Sequence, residues 1–141
     1  MAETNKTIIV KTTVNAPVEK VWDIWSQPEH ITQWNHASED WHAPYAENDL
    51  REGGKFKTTM AAKDGSFGFD FEGVYTAVKK YQLIEYKIAD GRKVSISFVS
   101  ENHQTQLTET FEAEDINSVE LQQGGWQAIL DNFKKYVEKS I

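Results

Sequence analysis

The sequence has 141 residues, the length of one ordinary domain, with 39% hydrophobic and 26% charged residues. Its formal net charge of -7 argues against non-specific binding to nucleic acid and against electrostatic attachment to a membrane surface, since both need a basic patch. Because the sequence has no cysteine, disulfides, thiolate zinc sites and cysteine nucleophiles are excluded.

The N-terminal part predicts one strand and two short helices. β-Branched residues alternate with polar ones over Thr7–Val14, which is typical of a strand. Pro17 stands where a first helical residue would, since its missing N–H costs nothing there. Apolar residues then follow the spacing of one helical face, at Val18, Val21, Trp22 and Trp25. A second short helix is predicted to begin at Pro28, with Ile31 and Trp34 on one side.

The middle of the chain predicts strands joined by turns. From His36 to Leu50 the pattern is irregular, with strand-like pieces and a loop around Pro44. Alternating apolar residues predict strands over 56–60, 67–78, 83–88, 94–100 and 105–111. Turn signals between them are Asp64-Gly65, Asp90-Gly91 and Asn102-His103.

The last segment has the spacing of a long helix. Its apolar stripe consists of Trp126, Ile129, Leu130, Phe133 and Val137. Asn117 is the expected N-cap, and Glu120 is expected to reach back to it in a capping box. Gly124 and Gly125 inside this helix cost roughly 1 kcal/mol each against alanine. They indicate either close packing of the helix on a sheet or a local weakness that admits a ligand.

The order of these elements predicts the fold class. One strand, two short helices, about six antiparallel strands and a long C-terminal helix imply an α+β fold, with a curved sheet wrapped around that helix. No apolar run approaches the roughly 18 residues of a membrane span. The start, MAETNKTIIV, lacks the features of a signal peptide. We therefore expect a cytoplasmic protein with a single domain over residues 1–141 and no membrane insertion.

The chain resembles the helix-grip superfamily of START-like and birch-pollen-allergen-like domains (SRPBCC). Within it, the sequence is similar to the C-terminal domain of the activator of heat-shock protein 90 ATPase. The resemblance extends from about Ile8 to Val137. The matching motifs are APVEKVWDIW (16–25), QPEHITQW (27–34), REGGKF (51–56), FEGVYTAV (71–78), LIEY (83–86) and GGWQAILDNF (124–133).

The resemblance implies a deep cavity between the curved sheet and the long helix, usually occupied by an apolar small molecule. Some members of the superfamily bind lipids, hormones or polyketides, and a minority catalyse cyclisation, dehydration or hydrolysis. The branch itself is named for a chaperone activator. Because fold alone does not determine function, the choice depends on the residues of the site.

Glu109 is the strongest polar candidate in the sequence. Alternation places Leu107 and Phe111 on the inward face of the last strand, and Glu109 lies between them. An ionised carboxylate is costly to bury unpaired, so it needs a partner, water, a ligand or a raised pKa. Two alternatives are that the sheet face is open to solvent there, or that a bulge turns Glu109 outward.

Two histidines, His36 and His42, follow the second short helix, and histidine can act as a metal ligand or as a general base. His36 and His42 are six residues apart, which is the spacing of neither a zinc-binding helix nor a short loop pair. No metal and no cofactor is therefore predicted. A polar rim at a cavity mouth is favoured over a metal site, and simple surface exposure is the default expectation for both histidines. No serine stands in a nucleophile elbow.

Aromatic residues make up 12% of the chain and converge between the predicted sheet and helix. A curved sheet and one helix do not fill that space easily, so large rings lining a cavity are expected. The predicted ligand-binding residues are Trp34, His36, Trp41, Phe56, Phe69, Phe71, Tyr86, Phe98, Glu109, Trp126 and Phe133. Glu109, Tyr86 and His36 are the expected polar anchors among them.

Three functions are compatible with these observations. The first is the binding of an apolar or aromatic small molecule, lipid- or polyketide-like, in the cavity. The second is a cyclase- or hydrolase-like enzyme with Glu109 as acid or base, assisted by His36 or Tyr86. Because no motif fixes a reaction, the residues favour the binding protein. The third is a protein that binds a chaperone and stimulates its ATPase. The ligand and the oligomeric state are left open.

Overall fold

The computed structural model describes residues 6–139, so residues 1–5 and 140–141 of the predicted domain lie outside the described residues. The elements in chain order are β1 (Thr7–Val14), α1 (Val18–Ser26), α2 (Pro28–Trp34), β2 (Trp41–Asn48), β3 (Lys55–Ala62), β4 (Gly68–Lys79), β5 (Leu83–Ile88), β6 (Lys93–Glu101), β7 (Gln104–Glu112) and α3 (Val119–Lys139). This order confirms the predicted α+β fold. Within residues 6–139, no helix is long and apolar enough to cross a bilayer.

The strands form one curved antiparallel sheet in the order β1-β7-β6-β5-β4-β3-β2. Consecutive hairpins place β2 to β7 side by side, and the first strand, β1, pairs with the last, β7. Register shifts interrupt the β2–β3 and β4–β5 ladders, and such bulges bend a strand and increase its twist. The sheet therefore wraps partly around the helices, as in a helix-grip fold.

The core lies between the concave face of the sheet and the helices. Phe133 of α3 is fully buried, and its ring centroid lies 4.8 Å from that of Trp34 and 5.0 Å from that of Trp25. In the predicted stripe of α3, Leu130, Phe133 and Val137 are buried, whereas Trp126 and Ile129 are half-buried. The helix is therefore packed most tightly towards its C-terminal half.

The segment predicted as irregular, 36–50, contains a complete strand. β2 pairs with β3 on both sides of a register shift between His42 and Tyr45. Pro44 lies inside that shift, and proline cannot donate a ladder hydrogen bond. The predicted disturbance around Pro44 is therefore real, but it is a bulge within an edge strand rather than a loop.

The predicted N-cap of α3 is displaced by one residue. The helix begins at Val119, and the Ser118 hydroxyl accepts a hydrogen bond from the N–H of Leu121 at 3.1 Å. Asn117 instead donates its side-chain and backbone N–H groups to Glu114, at 2.8 and 2.7 Å. Because the side-chain amide of Asn117 is held by Glu114, Ser118 caps the helix instead. The capping box of Asn117 and Glu120 was wrong.

The helix α3 also covers the β1 edge of the sheet. The Gln127 side-chain amide donates to the carbonyl oxygen of Lys11 at 3.0 Å and accepts from its N–H at 3.4 Å. Gln123 donates to the carbonyl oxygen of Ile9 at 3.3 Å. A Cβ atom added at Gly124 or Gly125 would meet nothing within 4 Å. Close packing is therefore not the reason for the two glycines.

Candidate functional site

A cavity of about 280 Å³ lies between the concave face of the sheet and the helices. Residues of all three helices, α1 to α3, and of strands β2 to β5 and β7 line it. Its lining residues are Trp25, Ile31, Trp34, Asn35, Glu47, Asn48, Phe56, Thr58, Met60, Phe69, Phe71, Tyr75, Tyr86, Arg92, Glu109, Glu114, Gln122, Trp126, Ile129 and Leu130.

Aromatic rings from three neighbouring strands form one wall of the cavity. The ring centroid of Phe56 lies 5.2 Å from that of Tyr75, 4.7 Å from that of Tyr86 and 5.8 Å from that of Phe71. Glycine at position 73 permits this arrangement, because a Cβ there would lie 2.9 Å from the Phe56 ring. The wall therefore consists of inward-facing aromatic residues that alternate along β3, β4 and β5, and Gly73 leaves room for the Phe56 ring.

Trp126 of α3 faces this wall. Its ring stacks on Phe111 of β7, with centroids 3.8 Å apart and planes 11° from parallel. It also meets Phe71 edge-on at 6.0 Å. Because Trp126 is half-buried and lines the cavity, its fluorescence is suited to report on the contents of the cavity.

Glu109 lies in the cavity on the concave face of β7, where alternation placed it. It pairs with Val10 of β1 and Ile96 of β6, and the register is unbroken through all three strands. Leu107 and Phe111 flank it on the same face, so apolar side chains surround it and it is only 7% exposed. Neither a bulge nor an open sheet face turns it towards solvent.

The carboxyl group of Glu109 has no partner within residues 6–139. No hydrogen bond or ion pair with these residues stabilises its charged form, and burial raises its pKa from the ordinary 4.5 to about 8. The group is therefore protonated at neutral pH when the cavity is empty. A buried carboxylic acid of this kind can donate or accept a hydrogen bond, or take part in acid–base chemistry.

Two tyrosines accompany Glu109, and they differ in their partners. Burial raises the pKa of Tyr86 well above its ordinary value, and the charge of nearby Glu109 raises it further. The hydroxyl of Tyr75 donates to the side-chain oxygen of Asn48, and Asn48 donates in turn to the carbonyl oxygen of Ser26 at 2.6 Å. Tyr75 is therefore tied to α1, while Tyr86 faces the cavity beside Glu109.

The remaining polar lining groups are largely engaged with the protein itself. Arg92 donates to the carboxylate of Asp90 at 2.8 Å and to the carbonyl oxygen of Glu112 at 3.4 Å. The Gln122 side chain donates to the carbonyl oxygen of Asn117 at 2.8 Å. These contacts hold the turn between β5 and β6 and the start of α3 in place.

The structure brings seven of the predicted ligand-binding residues to the cavity and leaves four outside its lining. The seven are Trp34, Phe56, Phe69, Phe71, Tyr86, Glu109 and Trp126. Phe98 packs on Trp22 and Trp25 at 5.0 and 6.1 Å, and Phe133 also lies in this solid part of the core. Both have the correct inward face but lie beyond the end of the cavity. Ligand contact by the seven stays a prediction.

His36 and Trp41 lie away from the cavity. The Nε2 atom of His36 is 3.2 Å from the side-chain amide of Asn132, and burial and the charge of Lys63 lower its pKa. Trp41 lies against Phe67 and Phe69. Burial therefore favours the neutral form of His36, and its contact with Asn132 joins the α2 exit to α3. No group of three or more metal-ligating side chains is present in the described part of the chain.

Sequence reasoning missed several lining residues. Thr58 and Met60 share the alternation of Phe56 along β3, so a signal for them was available. Asn48 and Gln122 carried none, because they lie in a bulged strand and at a helix start. The position of Asn48 depends on a long-range hydrogen bond to the end of α1, and that of Gln122 on hydrogen bonds to the 114–118 turn.

Comparison with known proteins identifies the family. The family model described as activator of Hsp90 ATPase homolog 1-like protein matches residues 15–138. A solution structure of an AHSA1-like protein from Aeromonas hydrophila is 44% identical, with a TM-score of 0.90, and the alignment covers 96% of this chain and 94% of that one. Chr148 from Cytophaga hutchinsonii is 55% identical, with a TM-score of 0.82 and coverage of 95% and 93%.

A more distant structure shares the fold alone. CV1439 from Chromobacterium violaceum is 23% identical, with a TM-score of 0.84 and coverage of 94% of this chain and 98% of that one. No curated protein matches the chain. The matched range 15–138 includes both the aromatic wall and the helix that covers it. The chain therefore belongs to the family of activator of Hsp90 ATPase homolog 1-like proteins, within the helix-grip superfamily.

Proposed function

We propose that the protein binds an apolar or aromatic small molecule in the cavity between the sheet and α3. The observation that carries this proposal is the 280 Å³ cavity itself, lined mainly by aromatic and aliphatic side chains. Protein interiors are close-packed, and voids larger than a water molecule are few. An apolar cavity of about 150 Å³ holds benzene, so this one, at about 280 Å³, is suited to a molecule of two or three rings.

The test uses a neutral aromatic dye and a pair of matched variants. N-phenyl-1-naphthylamine becomes fluorescent in apolar surroundings and reports on cavity binding by titration. Thr58 of β3 is 4% exposed and lines the cavity, whereas Thr59 is on the opposite face and bonds to Asp70 at 2.8 Å. Thr58→Phe fills the cavity, and Thr59→Phe adds the same ring on the outside.

We expect saturable binding to the parent and to Thr59→Phe, and at least about tenfold weaker binding to Thr58→Phe, equivalent to about 1.4 kcal/mol. Circular dichroism melts confirm that both variants are folded before the titrations are compared. Absence of saturable binding to the parent, or equal affinities of the two variants, would contradict the proposal.

A second candidate function is acid–base catalysis in the same cavity. It is favoured by Glu109, whose raised pKa of about 8 keeps it protonated at neutral pH beside Tyr86. Native mass spectrometry of freshly purified protein identifies a co-purifying compound, which is then incubated with parent and Glu109→Gln proteins. An enzyme converts the compound, and the variant is slower by about 10²–10⁴-fold. A compound that stays bound and unchanged by the parent rules this function out.

A chaperone partner is supported by the family description and by one exposed cluster. Trp41, Phe67 and Phe69 lie with ring centroids 6.0 to 6.2 Å apart, and Phe67 is 61% exposed. If this surface contacts a chaperone, Phe67→Ser lowers stimulation of Hsp90 ATPase while Thr58→Phe leaves it unchanged. Equal stimulation by parent and Phe67→Ser would exclude the cluster.

A further inference from the structure

Glu109 is the buried carboxyl group of the cavity lining, and the rest of the described chain leaves it without a partner. Among the polar lining groups, Tyr75 and Asn48 are bonded to each other, and Glu47 accepts from Tyr45 at 2.6 Å. Within residues 6–139, Glu109 has no hydrogen-bond or charge partner, although it is only 7% exposed. Burying a polar group without a hydrogen bond is costly, so a group retained in this position needs a partner from outside the chain.

We infer that the ligand of this cavity is an aromatic or apolar amine whose protonated nitrogen donates to Glu109. This inference rests on the proposed function, because it specifies the chemical class of the molecule that fills the same cavity. Tyr86 lies beside Glu109, and its hydroxyl oxygen can accept a second hydrogen bond from an ammonium group.

The charges around Glu109 favour a cation over an anion. Glu47 of β2 and Glu114 ahead of α3 line the same cavity, and Arg92 is the one basic residue of the lining. Arg92 is already paired with Asp90 at 2.8 Å. Two titratable tyrosines face the cavity, Tyr75 from β4 and Tyr86 from β5, and burial keeps both uncharged at neutral pH. The residues paired with Glu109 on β1 and β6 are the apolar Val10 and Ile96. The α3 residues that line the cavity are apolar or carry an amide.

The aromatic wall provides further support for a cationic group. Phe56, Phe71 and Trp126 line the same cavity as Glu109, and ring faces attract ammonium groups within about 6 Å. An amine therefore finds a carboxylate for its charge and rings for its apolar body. A carboxylate ligand could accept a hydrogen bond from protonated Glu109, but it would share the cavity with Glu47 and Glu114 and meet ring faces that repel an anion.

Binding of such a cation has a proton balance that can be measured. In the empty cavity at pH 7, Glu109 carries its proton, because its pKa is about 8. An ammonium ligand stabilises the carboxylate, so the O–H bond of Glu109 breaks and the proton leaves to solvent. The ligand keeps its own proton. Close to one proton is therefore released for each amine bound, and none for a neutral ligand.

The experiment compares three probes with the same two-ring body: 2-(aminomethyl)naphthalene, 2-ethylnaphthalene and 2-naphthoate. Affinities are measured by displacement of N-phenyl-1-naphthylamine from the parent, from Glu109→Gln, and from Glu72→Gln as an exposed control on β4. Calorimetry of the amine in two buffers of different ionisation enthalpy counts the protons released by the parent.

We expect the amine to bind the parent about ten- to a hundredfold more tightly than 2-ethylnaphthalene, as for a hydrogen bond to a charged group. That preference disappears in Glu109→Gln and persists in Glu72→Gln. Equal affinities for the amine and the hydrocarbon, tightest binding of 2-naphthoate, or no proton release overturns the inference but leaves the proposed function standing. Failure of all three probes to bind overturns both. The proton count needs only the parent, so it decides even if Glu109→Gln does not fold.

Discussion

Replacing Glu109 with glutamine separates the cost of its charge from its shape. The amide has nearly the same volume as the carboxyl group, and among residues 6–139 Glu109, between Val10 and Ile96, makes no ion pair that the change would break. The uncharged variant therefore resembles the protonated parent at every pH. We predict that Glu109→Gln is more stable than the parent at alkaline pH.

The size and sign of the effect follow from proton linkage. The pKa of Glu109 is about 8 when folded and 4.5 in its ordinary state. Since a tenfold change in proton affinity is about 1.4 kcal/mol, the charge destabilises the folded state by on the order of 5 kcal/mol above pH 8. Below pH 4.5 the group is protonated in both states and contributes nothing. In between, the free energy of unfolding of the parent falls as pH rises.

Urea unfolding followed by tryptophan fluorescence at pH 5 and 8.5 measures this difference. We expect parent and Glu109→Gln to agree within about 1 kcal/mol at pH 5, with the variant several kcal/mol more stable at pH 8.5. Glu72→Gln, which removes an exposed carboxylate from the other sheet face, controls for net charge. A parent-to-variant difference that does not change between the two pH values would refute the reasoning, as would a variant less stable at pH 8.5.

Five further substitutions, four in or next to α3 and one in β4, are tested by urea unfolding. Phe133→Ala lowers the free energy of unfolding by about 3–5 kcal/mol, because its ring is fully buried; Phe71→Ala, beside the cavity, loses less, and equal losses would contradict the cavity. Gly124→Ala and Gly125→Ala each raise stability by about 0.5–1 kcal/mol, since an added Cβ meets open space; a loss would reveal an unseen contact. Ser118→Ala costs about 1 kcal/mol as a lost N-cap, and an unchanged midpoint would show that the cap is dispensable.

Local periodicity was sufficient for most of the fold. Alternation defined β1 and β5 to the residue, because one face of each strand is more deeply buried than the other. It failed at β2, where the bulge around Pro44 breaks the period-two pattern. The cap of α3 was missed because Asn117 and Ser118 are both possible caps in the sequence. The hydrogen bonds from Asn117 to Glu114 hold its side chain away from the helix and leave Ser118 as the cap.

The sequence predicted which face of the sheet carries the site residues, but not which of those residues lie beside the cavity. Alternation gives the face on which a side chain lies, and so it placed Glu109, Tyr86 and Phe71 correctly on the concave side. Alternation does not show how far along the strand an inward side chain lies, and so it does not separate residues beside the cavity from residues in the packed core. Phe98 and Phe133 therefore shared the inward face but lie where the layers meet and fill the space completely.

The two ends of the sheet also bear on how this protein behaves at high concentration. An open antiparallel sheet offers unpaired backbone groups at its outermost strands, which can recruit another chain and begin aggregation. Here Gln123 and Gln127 occupy backbone groups of β1, and Pro44 with its bulge interrupts β2. A curved sheet can thus stay open enough to enclose a cavity without exposing a continuous template for strand addition. Gln123→Ala and Gln127→Ala combined with Pro44→Val would remove these contacts and the proline while leaving the cavity lining unchanged.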